Sequence, residues 1–293
     1  MADAAAAPPQ YVLIIACADR PGIVHAVASF LLERGGNIVD SQQFGDRLEN
    51  RFFMRVHFEL PAASATDHPV DALREEFATV ATDLAMAWKL VAVDAPFRTL
   101  LLVSRFGHCL NDLLFRWSTG ALNIEVPAIV SNHRDFEPLA RSYGIDFHHV
   151  PVTAKTKGAA EARLLELVDE LDVHLVVLAR YMQVLSDDCC RALVGRAINI
   201  HHSFLPGFKG ARPYHQAHAR GVKQIGATAH YVTADLDEGP IIEQDVTRVS
   251  HDLGPDQLVR AGRDVECQVL ARAVGWHSES RVLLNGSRTV VFR

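Results

Sequence analysis

An amide and an imidazole lie two residues apart in AINIHHSFLPGFKG, residues 197–210, as Asn199 and His201. On a β-strand, side chains at i and i+2 leave the same face, so this spacing would present both groups together. The strand would then enter a loop rich in Pro and Gly, and ligands of open α/β sheets collect at the carboxyl ends of strands. A second segment, IGATAHYVTADLDEGPIIEQ at residues 225–244, carries His230 within an apolar run. It also carries Asp237 at the opening of the turn Asp237-Glu238-Gly239-Pro240. Together they supply the parts for amide or formyl chemistry. Asn199 could hold a developing oxyanion through its NH₂, a contribution of about 10²–10³ in rate. His201 could donate a hydrogen bond or a proton. Asp237 could orient and deprotonate water, provided its surroundings hold it near the working pH. Each residue taken singly has a plainer explanation. Asn199 would be a strand end satisfying backbone groups, His201 an exposed side chain, His230 a core histidine, and Asp237 an ordinary turn residue bonding nearby N–H groups.

The elements that must position these groups follow from periodicity. Residues 11–18 form a β-branched apolar run, and Asp19-Arg20-Pro21-Gly22 then reads as a helix start with Pro at the first helical position. Ile23, Val27, Phe30 and Leu31 recur at helical spacing until Gly35-Gly36. Strands are expected at 37–44, 51–60 and 86–93 and a helix at 67–84, giving the β-α-β-β-α-β order of a ferredoxin-like unit. After Asp94-Ala95-Pro96 the pattern changes. Strands at 99–104, 126–130, 146–150, 173–179 and 197–202 alternate with helices at 108–119, 135–143, 158–171 and 186–194. Short unbroken apolar strands such as VHLVVLA belong in a parallel sheet covered on both faces, so this is a doubly wound α/β unit. Strands near 225–233 and 240–249, a helix near 255–276 and a hairpin turning at Asn285-Gly286 complete it. The division expected is a disordered tail at 1–9, a first domain at 10–94 and a catalytic domain at 95–293.

Composition narrows the function classes. The chain has 293 residues, 49% hydrophobic and 22% charged, as in ordinary globular proteins. A net charge of −6 without a Lys/Arg block argues against nucleic acid as a partner. No apolar run is long enough to span a bilayer, and MADAAAAPPQ lacks the features of a secretory signal or transit peptide. Five cysteines with no CxxC suit free thiols in a reducing compartment, so a cytoplasmic location is expected. Among fifteen histidines, His215-x-x-His218 and His201-His202 are conceivable metal ligands. With no HExxH and no carboxylate at ligand spacing, no metal is expected.

At this point the two segments become familiar. NIHHSFLPGFKG resembles the NIHPSLLP signature of enzymes that use 10-formyltetrahydrofolate, and ATAHYVTADLDEGPII resembles their second signature, which ends in a catalytic Asp. The spacing suits the glycinamide ribonucleotide formyltransferase fold. Within that group the chain resembles the formyltetrahydrofolate deformylases, which also carry an N-terminal ACT domain. CADRPGIVHAVASFLLERGGNI, RFFMR and the closing TVVF fit that likeness. The resemblance implies a ferredoxin-like ACT domain followed by a doubly wound, mostly parallel formyltransferase-like domain. The implied reaction is hydrolysis of 10-formyltetrahydrofolate to formate and tetrahydrofolate, balancing one-carbon folate pools in purine biosynthesis, with no cofactor besides the folate substrate and water. Asn199 and His201 would polarise the formyl oxygen, and Asp237 would assist water attack and proton transfer to N10. By the same likeness LARYMQVLS would cradle the pterin through Leu178, Met182, Gln183, Val184 and Leu185, with His230, Val232 and Thr233 completing the pocket. An apolar-walled loop after a parallel strand fits a flat heteroaromatic; Met182 and Leu185 as simple helix-start core is the plainer alternative.

Two departures and one extra domain refine this. Ribonucleotide-using relatives bind a phosphate with a Gly-rich loop after the first strand, whereas Ser104-Arg105-Phe106-Gly107-His108-Cys109-Leu110-Asn111 has a single Gly. Phosphate cradles need several free backbone N–H groups, so this loop favours water over a phosphorylated acceptor. A folate-dependent formyltransferase to an amine, and a non-catalytic folate binder, are the alternatives. In the ACT-like region Asp19, Gly22, Ile23, Asn37 and Ile38 would form the loops that bind a small amino acid between paired domains, so a homo-oligomer is expected, and glycine or methionine are candidate effectors. A purely architectural domain is the competing reading.

Overall fold

Apolar alternation builds the first sheet. The computed structural model describes residues 7–61, 69–207 and 213–293. Most of the expected N-terminal tail and residues 208–210 of the first signature lie outside them. Strand β1 (Gln10–Ala18) pairs antiparallel with β3 (Arg51–Glu59) and β4 (Ala87–Ala92), and β2 (Asn37–Asp46) flanks β3, in the order β2-β3-β1-β4. Helices α1 (Ile23–Leu32) and α2 (Val70–Asp83) cover one face. Leu13, Ile15, Met54 and Phe58 from the strands meet Ile23, Val27, Phe30 and Phe77 from the helices in one core. Phe77 ties it together, its ring centroid 5.0 Å from those of both Phe30 and Trp88.

The start of α1 differs from the sequence expectation. Pro21 precedes the helix, whose N-cap is Gly22 at φ 97, and no side chain caps it. Asp19 instead fixes the exit of β1, its N–H bonding to the Asn50 carbonyl at 3.1 Å. A left-handed backbone at the cap is the glycine-permissive conformation that lets the chain reverse there.

The second sheet has seven strands: β5 (Thr99–Val103), β6 (Ala128–Ser131), β7 (Asp146–His149), β8 (Leu175–Leu178), β9 (Ala197–His201), β10 (Gln224–Tyr231) and β11 (Ile241–Arg248). Their order is β11-β10-β9-β8-β5-β6-β7. Strands β5 to β9 run parallel, and β10 and β11 are antiparallel additions. The chain winds outward from β5 to β7, then returns to β8 on the other side of β5. That reversal is a topological switch point, where such sheets open a crevice at their carboxyl ends. Helices α3 (His108–Ser118), α4 (Glu137–Ser142), α5 (Lys157–Glu170), α6 (Asp187–Ala192), α7 (Pro213–Arg220) and α8 (Pro255–Ser278) complete the unit. Buried Leu100, Leu102, Val130, Val176 and Leu178 form its centre with Leu164, Leu167 and Leu193. Helix α7 was not expected, because PYHQAHAR is short, polar and begins with Pro.

The division between the units does not fall at a single point in the chain. Residues 1–95 are joined by Glu279–Leu283 and Val290–Arg293, while Pro96–Ser278 and Leu284–Thr289 form the other unit. The hairpin of β12 (Val282–Asn285) and β13 (Arg288–Val291), turning through Gly286 at φ 64, is therefore divided, unlike the single break read from sequence at 94/95. Its apolar ends explain this: Leu283, Val290 and Phe292 pack with Ile14, Ala16 and Phe53.

Candidate active site

Strand register lines up the first three groups. Leu178 on β8 lies opposite Asn199 on β9, and Asn199 opposite His230 on β10. Cross-strand partners share a face, so this row is set by backbone pairing before any side chain chooses a rotamer. His201, two residues beyond Asn199, joins the same face. The loop after β9 is pinned from beneath by Thr228, which is fully buried. Its hydroxyl donates to the Ser203 carbonyl at 2.9 Å and accepts from the Leu205 N–H at 3.1 Å and from the Gln244 amide at 2.9 Å. Sequence reasoning missed Thr228, although it alternates with His230 on one strand and so shares its face.

Asp237 reaches this face through the β10–β11 connection. Its backbone is left-handed at φ 58. Two residues on, Gly239 presses against the strand, and a Cβ there would sit 1.7 Å from the Tyr231 carbonyl oxygen. Only glycine tolerates that approach. The folded-back turn brings Asp237 Oδ1 to 3.2 Å from His201 Nδ1 and 3.7 Å from His230 Nε2.

Hydrogen-bond logic fixes the tautomer of His230. Its Nδ1 lies 2.9 Å from the Tyr231 carbonyl, which only accepts, so Nδ1 carries the proton. In the neutral ring Nε2 is then an acceptor for the Asn199 amide at 3.2 Å. The amide is thereby oriented, with its second N–H free for another acceptor. His201 is 5% exposed, and its Nε2 is buried without a protein partner.

The electrostatics do not meet the condition placed on Asp237 as a base near the working pH. The hydrogen bond from His201 holds the Asp237 carboxyl far below the usual range, although burial opposes this. Asp237 is thus not poised near the working pH but is a resident anion. It favours a proton on His201 Nδ1 and accepts hydrogen bonds readily. It takes a full proton only from a strongly acidic donor, such as a water oxygen that has already bonded to carbon. Neighbouring His202, missed at the sequence level as part of this wall, is pushed down to about 4 by burial and then by the charge of Arg180.

All eleven expected catalytic and substrate-binding residues line one cavity of about 300 Å³. Leu178 and Leu185 are buried in its wall, and Met182 and Val184 stand half exposed at its rim. Gln183, His230, Val232 and Thr233 complete the part anticipated from sequence, while Tyr181, Ile200, His202 and Leu236 also contribute. The ACT-like candidates are not gathered in the same way. Ile23 is buried in the core, whereas Asp19, Gly22, Asn37 and Ile38 are exposed. Asn37 donates to Glu59 at 2.9 Å. A groove of about 520 Å³ between α1 and α2 is lined by none of the five.

Among the described residues, the cluster spaced to hold a metal ion is neither His215/His218 nor His201/His202 but His108, Cys109 and Glu266. Glu266 already accepts from His108 Nε2 at 2.7 Å and Tyr214 Oη at 2.6 Å, and the Arg180 guanidinium is 3.4 Å away. A guanidinium in that position is a poor neighbour for a second cation.

Comparison with known proteins agrees with this architecture. The Formyl transferase family profile matches residues 97–274 and the ACT domain profile residues 11–76. This defines a formyl transferase-type catalytic unit joined to an ACT domain. The formyltetrahydrofolate deformylase of Corynebacterium sp. (strain P-1) is 53% identical over 97% of this chain and 98% of its own. The crystal structure of the Burkholderia mallei formyltetrahydrofolate deformylase superposes with a TM-score of 0.92 at 53% identity, covering 98% of this chain and all of that one. A glycinamide ribonucleotide transformylase from Symbiobacterium toebii covers 68% of this chain and 95% of its own, with a TM-score of 0.64 at 32% identity. The chain belongs to the formyltetrahydrofolate deformylase family.

Proposed function

We propose that the protein hydrolyses 10-formyltetrahydrofolate to formate and tetrahydrofolate. The observation that carries this reading is the convergence of Asn199, His201 and Asp237, from separate segments, on one apolar-walled cavity. The pterin lies between the Met182–Leu185 loop and the Val232–Thr233 backbone. The formyl oxygen meets the free N–H of Asn199 and the Nε2–H of a doubly protonated His201, whose Nδ1–H is held by Asp237. Water, held by Asp237, attacks the formyl carbon, and the oxygen becomes an alkoxide stabilised by those two donors. The new C–O bond makes the water proton strongly acidic, so it passes to Asp237 and on to N10 as the C–N bond breaks. Formate and tetrahydrofolate leave.

The site's own donors suffice for these steps, so no cofactor is invoked. The place of the reaction is balancing one-carbon folate pools in purine biosynthesis, in the cytoplasm. Five free cysteines fit a reducing compartment, and no helix among the described residues is long and apolar enough to cross a membrane. The ACT unit binds a small amino acid between subunits of a homo-oligomer, as the exposed loops at Gly22 and Asn37 suggest. Titration of the full chain with glycine and with methionine checks this, and no heat from either would remove the effector. Incubation of purified protein with 10-formyltetrahydrofolate alone, before and after dialysis against a chelator, tests the hydrolysis. Formate at the same rate in both arms is expected; formate only after addition of an amine would indicate a transferase instead.

A further inference from the structure

The crevice at the sheet's switch point is filled rather than open. Between β5 and β8, where a ligand would be expected, the Ser104 N–H bonds to the Arg180 carbonyl at 3.1 Å. The Ser104 hydroxyl accepts from the Met182 N–H and donates to Asn132 Oδ1, locking the two strand ends together. Arg180 then takes a left-handed backbone conformation, φ 65, which a side chain rarely adopts. Its side chain turns inward and is only 9% exposed. It faces Glu266, itself 1% exposed and held by His108 and Tyr214. Room for Tyr214 comes from Gly262, where a Cβ would lie 2.2 Å from the Tyr214 ring. Phe106 is flanked by the guanidinium groups of Arg180 and Arg263 at 5.6 and 5.7 Å. Side chains from the β5–α3 loop, the end of β8, α7 and α8 thus occupy one volume.

This volume adjoins the catalytic groups. Arg180 follows Leu178, which lies opposite Asn199, by two residues, and its charge acts on His202, the neighbour of His201. Ring contacts run from His201 to His202 at 5.2 Å and from His202 to Tyr214 at 6.4 Å, and so to Glu266.

We propose that the Arg180–Glu266 pair is a plug that closes the acceptor side of the formyl site, so that only water reaches the formyl carbon. The proposal rests on the hydrolytic reading above and extends it to nucleophile choice. Arg180 acts as a specificity-determining residue: it excludes bulkier nucleophiles and touches no reacting atom. Without the plug, a primary amine would attack the formyl carbon, lose a proton and expel N10, which takes one up. The products would be a formamide and tetrahydrofolate in place of formate.

The test follows the fate of a labelled formyl group in the presence of glycinamide, with the uncatalysed reaction subtracted. Formate from the unmodified chain without amine decides the hydrolytic reading separately. With amine present, that chain is expected to give formate almost exclusively. Arg180→Ala is expected to divert a share of the label to N-formylglycinamide at least about tenfold larger. Arg180→Lys keeps a charge facing Glu266 while trimming the planar fork, and an intermediate share is expected. That variant keeps the test decisive if Arg180→Ala does not fold. General damage to the fold lowers both products together and leaves their ratio unmoved. Equal ratios in the unmodified chain and the variants would overturn the proposal, as would an unmodified chain that already formylates the amine.

Discussion

Two carboxylates in the catalytic unit are built alike and put to different use. Asp237 is held by His201; Glu266 is held by His108 and Tyr214 and faces Arg180. Both ionise more readily than an ordinary carboxyl. For Asp237 the bond from His201 leads. For Glu266 burial pushes the other way, but the bond from His108 and the charge of Arg180 outweigh it. The difference lies in what is left over. Around Glu266 the groups are enclosed by packed protein, with two Arg180 nitrogens left without hydrogen-bond partners, whereas Asp237, His201 and Asn199 line a cavity. A carboxylate–histidine pair becomes reactive only where the fold opens it to a substrate.

Breaking each carboxylate should therefore give opposite phenotypes. Asp237→Asn removes the anion but keeps the shape, and formate release is expected to fall by about 10³-fold or more while folate binding stays within a few-fold. Single-turnover formate assays beside equilibrium folate titration check this. Retention of most activity would reduce Asp237 to a turn residue. Glu266→Leu leaves Arg180 and His108 without their counter-charge, so a loss of about 3–5 kcal/mol in unfolding free energy by urea titration is expected. A variant as stable as the parent would show that the pair adds nothing to the fold. Asn199→Ala takes away one oxyanion donor, for an expected drop of about 10²–10³ in kcat with little change in KM. A rise in KM alone would recast Asn199 as a binding group.

The smallest effect sharpens the comparison through pH. His202 stands between the two clusters and is pushed down to about 4 from 6.5. Its folded value is depressed, so its contribution is complete above pH 6.5. The contribution is lost as pH falls toward 4, where the unfolded chain takes up a proton that the folded chain refuses. At most about 3 kcal/mol is at stake across that window. Denaturation midpoints for the parent and His202→Gln, measured from pH 7 to pH 4, should run close near pH 7 and separate toward pH 4, the parent losing more. Parallel curves would place the acid sensitivity elsewhere.

Some of this was readable from the chain and some was not. The i, i+2 spacing on a strand put Asn199 and His201 on one face, but only the likeness of the two segments to known signatures gave them a role; Gly239, two residues after Asp237, marked a tight turn. The Asn285-Gly286 hairpin was equally local. His108, Arg180, Tyr214 and Glu266 are far apart in sequence, follow no periodicity, and acquire meaning only when four elements pack. Helix α7 escaped because a short polar segment lacks an apolar stripe. The charge of the Asp237 carboxyl could not be read from sequence because its pKa depends on His201, from another strand, and distance in space is not written in residue order.

The divided C-terminal hairpin has a bearing on biosynthesis. Phe53 in the first sheet is covered by Leu283 and Phe292, Arg55 bonds to the Glu279 carbonyl at 3.1 and 3.2 Å, and the Gln42 amide reaches the carbonyl of Arg293. The unit made first thus lacks its last layer until residues 279–293 have been made. A fragment ending at residue 95 would expose Phe53 to unwanted apolar contacts, a liability that persists through the synthesis of the whole catalytic unit.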